Sequence, residues 1–226
     1  ALAATWLLAH EALRGETPGA RHLAAALAVA LLATSPEQVD RLLVPMADAA
    51  AMLFTVLSLL FLLRAARAVD EAPGRRLPGW PDWLLAGVAF AWAYWVRHTQ
   101  LVLILPVAAW LAAVAVRRTA GQRRAAVAGV ALFAGAALVA ALPDIVYRWR
   151  TFGGPLATET TELPLMGLQH VAAVGWEMLR AALAAGEWGY LFPLALYGGY
   201  RLLRLPGRDA RRAALLLGSA FVAVLL

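Results

Sequence analysis

Residues 49–63 read AAAMLFTVLSLLFLL, fifteen positions without a charge, preceded by Pro45-Met46-Ala47-Asp48 and closed by Arg64. A helix seated on a soluble core shows a polar face at every turn, and a barrel strand alternates polar with apolar. This stretch does neither. Solid apolar runs of this kind suit lipid, where a helix satisfies its backbone groups internally. The same texture recurs at 1–9, 23–33, 83–96, 101–116, 125–142, 190–200 and 213–226.

The whole chain agrees with that stretch. It is 62% hydrophobic, its mean hydropathy is +0.69, and its charges gather in short clusters between the apolar runs. The expected fold class is all-α, a polytopic transmembrane helical bundle. Spans are expected at 1–13, 22–34, 48–64, 82–97, 101–117, 125–143, 188–203 and 213–226, with an outer-face segment at 143–188, all in a single domain 1–226. The weakest span is Leu23–Ala33, since eleven residues cover only ~17 Å of helix. The first residue already lies in an apolar stretch, and the last run stops fourteen residues in. The chain therefore reads as a fragment truncated at both ends.

Arginine placement gives the orientation. Fifteen of the twenty arginines fall in alternate connections, led by Arg64, Arg67, Arg75 and Arg76 and by Arg117, Arg118, Arg123 and Arg124. Those connections are assigned to the cytoplasm. Arg41, Arg97, Arg148, Arg150 and Arg180 fall on the other side. One long helix from Trp83 to Val116 would be ~51 Å and would break this alternation, so two helices meeting at Arg97–Gln100 are expected. Trp80, Trp83, Trp92, Trp95, Trp149, Trp176 and Trp188 sit near span ends, as interfacial indoles do.

Several function classes drop out. The pI near 10.7 comes from charge spread over alternate loops and not from one patch, which argues against a nucleic-acid partner. There is no Cys for a disulfide or thiolate site. The four histidines show no ligand-like pairing, and no Walker A loop, dinucleotide fingerprint or nucleophile elbow is present.

What remains is a set of polar groups on the outward face. Asp48 stands at the mouth of the 49–63 helix, where it reads either as an N-terminal cap or as a site acid. Asp40 lies just upstream. Arg97 and His98 stand between two spans, and Asp144, Tyr147, Arg148 and Arg150 follow Pro143. Arg148 and Arg150 are expected in a loop beyond a helix end. A guanidinium suits phosphate because its planar fork donates two parallel charge-assisted hydrogen bonds. For Arg97 the other reading is snorkelling to the interface.

Three stretches in this order resemble a known family. They are Leu32–Pro36 through Pro45–Asp48 into Ala49–Leu63 with Arg64-Ala65; Leu84–Ala91 with Trp95-Val96-Arg97-His98-Thr99 and Leu101–Pro106; and Leu142-Pro143, Tyr147-Arg148 and Thr151–Leu156. Together they look like the GT-C superfamily of membrane glycosyltransferases, in its bacterial protein-mannosyltransferase-like branch (family 39 type). The resemblance implies a hexosyl or pentosyl transferase that takes its sugar from a polyprenyl-phosphate donor. It places the protein in the bacterial cytoplasmic membrane as a multi-pass chain with its active face outward, among membrane lipids, using a protein, lipid or glycan acceptor.

The resemblance also implies roles. Arg97, Arg148 and Arg150 would bind donor phosphate, and Asp40, His98, Asp144 and Tyr147 would line the site. Asp48 would be the catalytic-site acid that supports phosphate or a divalent cation, Mg²⁺ or Mn²⁺, through hard oxygen ligands. The family's usual base belongs to a first outer loop upstream of Ala1. The competing classes are a transporter or flippase, which would bind at the midplane on broken, repeated helices, and a non-catalytic membrane scaffold.

Overall fold

The computed structural model describes residues 1–34, 47–72, 77–116, 119–154, 176–177, 180, 191–204 and 213–219, and among them every regular segment is helical. The helices are α1 (Leu2–Ala12), α2 (Pro18–Thr34), α3 (Ala47–Glu71), α4 (Trp80–Val96), a 3-10 turn (His98–Leu103), α5 (Ile104–Val116), α6 (Ala120–Phe152) and α7 (Leu191–Arg204). Two of them, α3 and α6, are long and apolar enough to cross a membrane. On α6 Val127, Leu138, Val139, Leu142 and Val146 are all exposed. A row of large aliphatic side chains facing outward suits lipid and not water.

Side-chain pairings give the direction of each helix. On α3 and α4, Ser58 donates to the Ala86 carbonyl (3.0 Å), and Arg64 pairs with Asp82 (3.6 Å). Later residues of α3 therefore meet earlier ones of α4, and the two are antiparallel. Between α4 and α6 the order rises together: Trp83 lies against Gly129, Phe90 against Phe133 and His98 against Asp144. These two run parallel, so the 3-10 turn and α5 carry the chain back between them. On the other flank α1 runs parallel to α3, with Glu11 bonded to Arg67 and Arg14 to Glu71. The hairpin partner α2 folds back on α1.

The centre is the α3–α4–α6 contact. Leu62 and Trp83 are fully buried, with Leu59, Ala65, Val69, Ala86, Phe90 and Phe133 around them. Between lipid-bathed helices no hydrophobic gain drives association, so close packing over small residues must do it. Gly87 and Gly129 provide that closeness. A Cβ at Gly87 would run into the Phe133 carbonyl oxygen, and one at Gly129 into the Trp83 indole. Gly79, at φ 66°, caps α4 and lies so near α3 that a Cβ would come within 2.7 Å of the Ala68 Cβ. Pro81 follows in the first turn, where its missing N–H costs nothing.

The break expected at Arg97–Gln100 is present: α4 ends at Val96, and Arg97 is extended (φ −150°, ψ 108°). The helix end expected at residue 143 is not. Pro143 lies inside α6, which continues to Phe152. The proline removes one ladder bond, to the Val139 carbonyl. The polar turn after it carries the helix on, and the chain stops at Gly153 (φ 77°), whose amide donates to the Trp149 carbonyl at 3.1 Å. Asp144, Tyr147, Arg148 and Arg150 therefore stand on a helix and not in a loop.

Candidate functional site at the 98–148 end

The parallel run of α4 and α6 brings the end of one against the last third of the other. Arg148 Nε donates to Asp144 Oδ2 at 3.0 Å, one turn away on the same helix. Its Nη2 lies 2.9 Å from Nδ1 and 2.5 Å from Nε2 of His98, and His98 Nε2 lies 3.5 Å from Asp144 Oδ2. A guanidinium can only donate, so the ring nitrogen it meets accepts. The His98 ring thus lies between the guanidinium and the Asp144 carboxylate. Tyr94 closes the group. Its ring meets His98 edge-on with centroids 5.0 Å apart, and its hydroxyl hydrogen-bonds Asp144.

Burial separates the arginines. The Arg148 side chain is only 11% exposed and Asp144 17%, whereas Arg97 and Arg150 are exposed. A charge pair held this close to hydrocarbon persists because each partner satisfies the other; removing one costs about 3–5 kcal/mol. Tyr147 points outward, 60% exposed, with Phe152 edge-on to it. A second polar contact lies at the same end, where Thr55 on α3 donates to the Gln100 side-chain carbonyl at 3.0 Å.

Asp48 is the second residue of α3, seven positions before Thr55. That places its backbone ~10 Å further towards the same end. Its side chain lies outside the described residues, as does all of Asp40. Among the described residues no three His, Asp or Glu side chains converge as a metal site. Asp144 is already committed to a guanidinium, which makes it a poor ligand for a cation.

Beneath the polar group is an apolar cavity of about 730 Å³ between α4, the 3-10 turn, α5 and α6. Its walls include Tyr94, Leu101, Ile104, Phe133, Ala141 and Ile145. Tyr94 belongs to both, with its ring against the cavity and its hydroxyl on Asp144. The size falls in the range of small-molecule sites, ~300–1,000 Å³. The arrangement suits an amphiphile, with an anionic head at Arg148 and a hydrocarbon tail below.

Sequence reasoning singled out His98, Asp144 and Arg148, and the structure joins them. It passed over Tyr94, Thr55 and Gln100. The available signal was the spacing Tyr94/His98 beside Asp144/Arg148, two i,i+4 pairs at equivalent depth.

The family model described as dolichyl-phosphate-mannose-protein mannosyltransferase matches residues 19–147, more than half of the chain and all of α3, α4 and α5. No curated protein and no solved structure matches the chain.

Proposed function

Because the chain belongs to the dolichyl-phosphate-mannose-protein mannosyltransferase family, a family of membrane glycosyltransferases, we propose that it binds a polyprenyl-phosphate-linked sugar at the 98–148 end. The observation that carries this reading is the half-buried Arg148–Asp144–His98 group, with Tyr94 beside it, standing at the mouth of an apolar cavity. The prenyl tail would occupy the cavity, and the donor phosphate would meet Arg148. Asp144 and His98 fix the plane of that guanidinium, so little of its freedom is lost when phosphate arrives. Arg97 and Arg150, exposed at the same end, would screen the phosphate from the water side.

In the reaction the bond between the sugar's anomeric carbon and the phosphate oxygen breaks, and an acceptor hydroxyl bonds to that carbon. The acceptor's proton goes to a carboxylate base, and the electron pair of the broken bond leaves on the polyprenyl phosphate. The transition state is oxocarbenium-like, so charge builds on the departing phosphate, where Arg148 is most useful. Asp48 would sit above the sugar as a supporting acid, with a divalent cation at that position if the family pattern holds. No step here depends on the cation. In this reading the protein lies in a bacterial cytoplasmic membrane with its 98–148 end outward, an orientation that the arginine bias supports.

The test is sugar transfer from a mannosyl-phosphoryl-polyprenol in proteoliposomes supplied with a membrane extract as acceptor. Arg148→Ala should lower the rate at least about a hundredfold, the scale of losing one charge-stabilising donor. Arg97→Ala and Asp48→Asn should each lower it by about tenfold or more, the scale of one charge-assisted hydrogen bond. Wild-type rates in all three variants would sink the assignment. EDTA treatment followed by Mg²⁺ tests the cation: unchanged activity after chelation would remove it from the proposal.

A further inference from the structure

At the other end of the bundle the α1–α2 hairpin holds a cationic group that the donor site does not use. Arg21 Nη2 lies 2.8 Å from Nδ1 of His10. The His10 and His22 rings have centroids 5.1 Å apart, and the Trp6 indole stacks on His22 at 6.1 Å. This level lies beside Glu11–Arg67 and Arg14–Glu71. It is twelve residues along α3 from Thr55, or ~18 Å of helix from the opposite end.

Among the described residues the group has no paired counter-charge. Arg21 has no carboxylate partner among the described residues, and its Nε is buried with no hydrogen-bond partner there. The nearby acids Glu11 and Glu71 are taken by Arg67 and Arg14. The first turn of α2 holds no acid either, although its helix dipole favours negative charge at that point. A guanidinium with a buried, unsatisfied donor is costly unless something accepts from it. Since His10 Nδ1 accepts from Arg21, a neutral His10 carries its proton on Nε2 and donates there.

We propose that Arg21, His10 and His22 form an anion site that takes the phosphate of an anionic phospholipid headgroup. Phosphate oxygens would accept from Arg21 Nε and from the two imidazoles, and Trp6 would lie at headgroup depth as interfacial indoles do. The acyl chains would lie along the exposed faces of α2, where Leu23, Leu27 and Leu31 point outward four residues apart. The site is independent of the donor site. It would fasten the α1–α2 hairpin to the opposite leaflet.

Native mass spectrometry of the purified full chain in detergent tests this, with phosphatidylglycerol, phosphatidylcholine and inorganic phosphate as separate probes. Phosphatidylglycerol should bind the wild type more tightly than phosphatidylcholine. Arg21→Gln should weaken phosphatidylglycerol by about tenfold, the worth of one charge-assisted hydrogen bond, and leave phosphatidylcholine unchanged. His22→Gln, at an exposed position, should weaken it in the same direction and keeps the test decisive if Arg21→Gln misfolds. Wild-type phosphatidylglycerol affinity in these variants would overturn the site. A response of inorganic phosphate alone would overturn the lipid as its source.

Discussion

Arg148 is a charge the bundle keeps near hydrocarbon by surrounding it with acceptors. Asp144 takes Nε, His98 takes Nη2, and Tyr94 steadies Asp144 from α4. Removing the carboxylate alone leaves a poorly compensated guanidinium. Asp144→Ala should therefore lower thermal stability by about 3–5 kcal/mol, while the double replacement with Arg148→Ala should cost clearly less than the two singles added. Differential scanning calorimetry of the four proteins gives the coupling; strict additivity would mean that the pair carries no interaction. The residue types were legible in the sequence because Asp, His and Arg are conspicuous among apolar runs. Their grouping was not, since it depends on α4 and α6 running parallel, which no local pattern encodes. Tyr94 stayed hidden because a tyrosine near a span end reads first as an interfacial anchor.

At the scale of helices, the apolar runs marked the middles of α3, α4, α5 and α6, since hydrocarbon tolerates little else, but α3 continues eight residues past Leu63 to Glu71 and α6 begins five residues before Ala125. The far end of α6 departs furthest. Proline beside polar residues reads as a helix stop, yet at Pro143 the helix loses one bond and continues for nine residues. The i,i+4 pair of Asp144 and Arg148 and the glycine cap at Gly153 both favour that continuation. Packing of α4 on α6 depends on Gly129, whose missing Cβ makes room for the fully buried Trp83. Gly129→Ala should cost about 1–3 kcal/mol through overpacking. Gly121→Ala, on the same helix with open space around it, should be neutral or stabilising by up to about 1 kcal/mol. Equal melting temperatures for the two variants would contradict the close approach of α4 and α6.

Across the whole molecule the polar groups divide between two ends. One holds Glu11–Arg67, Arg14–Glu71, Arg64–Asp82 and the His10–Arg21–His22 group; the other holds Thr55–Gln100 and the Arg148 group. The arginine bias foretold that division, and the helix directions agree with it. The chain has no cysteine, so single introduced thiols report sidedness cleanly. Thr151→Cys, exposed beyond the Arg148 group, should react with an impermeant maleimide in intact cells. Gly121→Cys, exposed at the opposite end of α6, should react only after permeabilisation; the reverse pattern would invert the orientation. The cavity itself was beyond the reach of sequence, because its walls come from α4, the 3-10 turn, α5 and α6, and most are the same Ala, Leu and Val found everywhere else. Equilibrium binding of sugar-free polyprenyl phosphate tests the joint role of cavity and arginine without needing an acceptor. Arg148→Ala and Ala141→Phe, which fills the cavity beneath it, should each weaken binding by about tenfold. Binding of both variants at wild-type affinity would contradict a lipid-phosphate site between α4, α5 and α6.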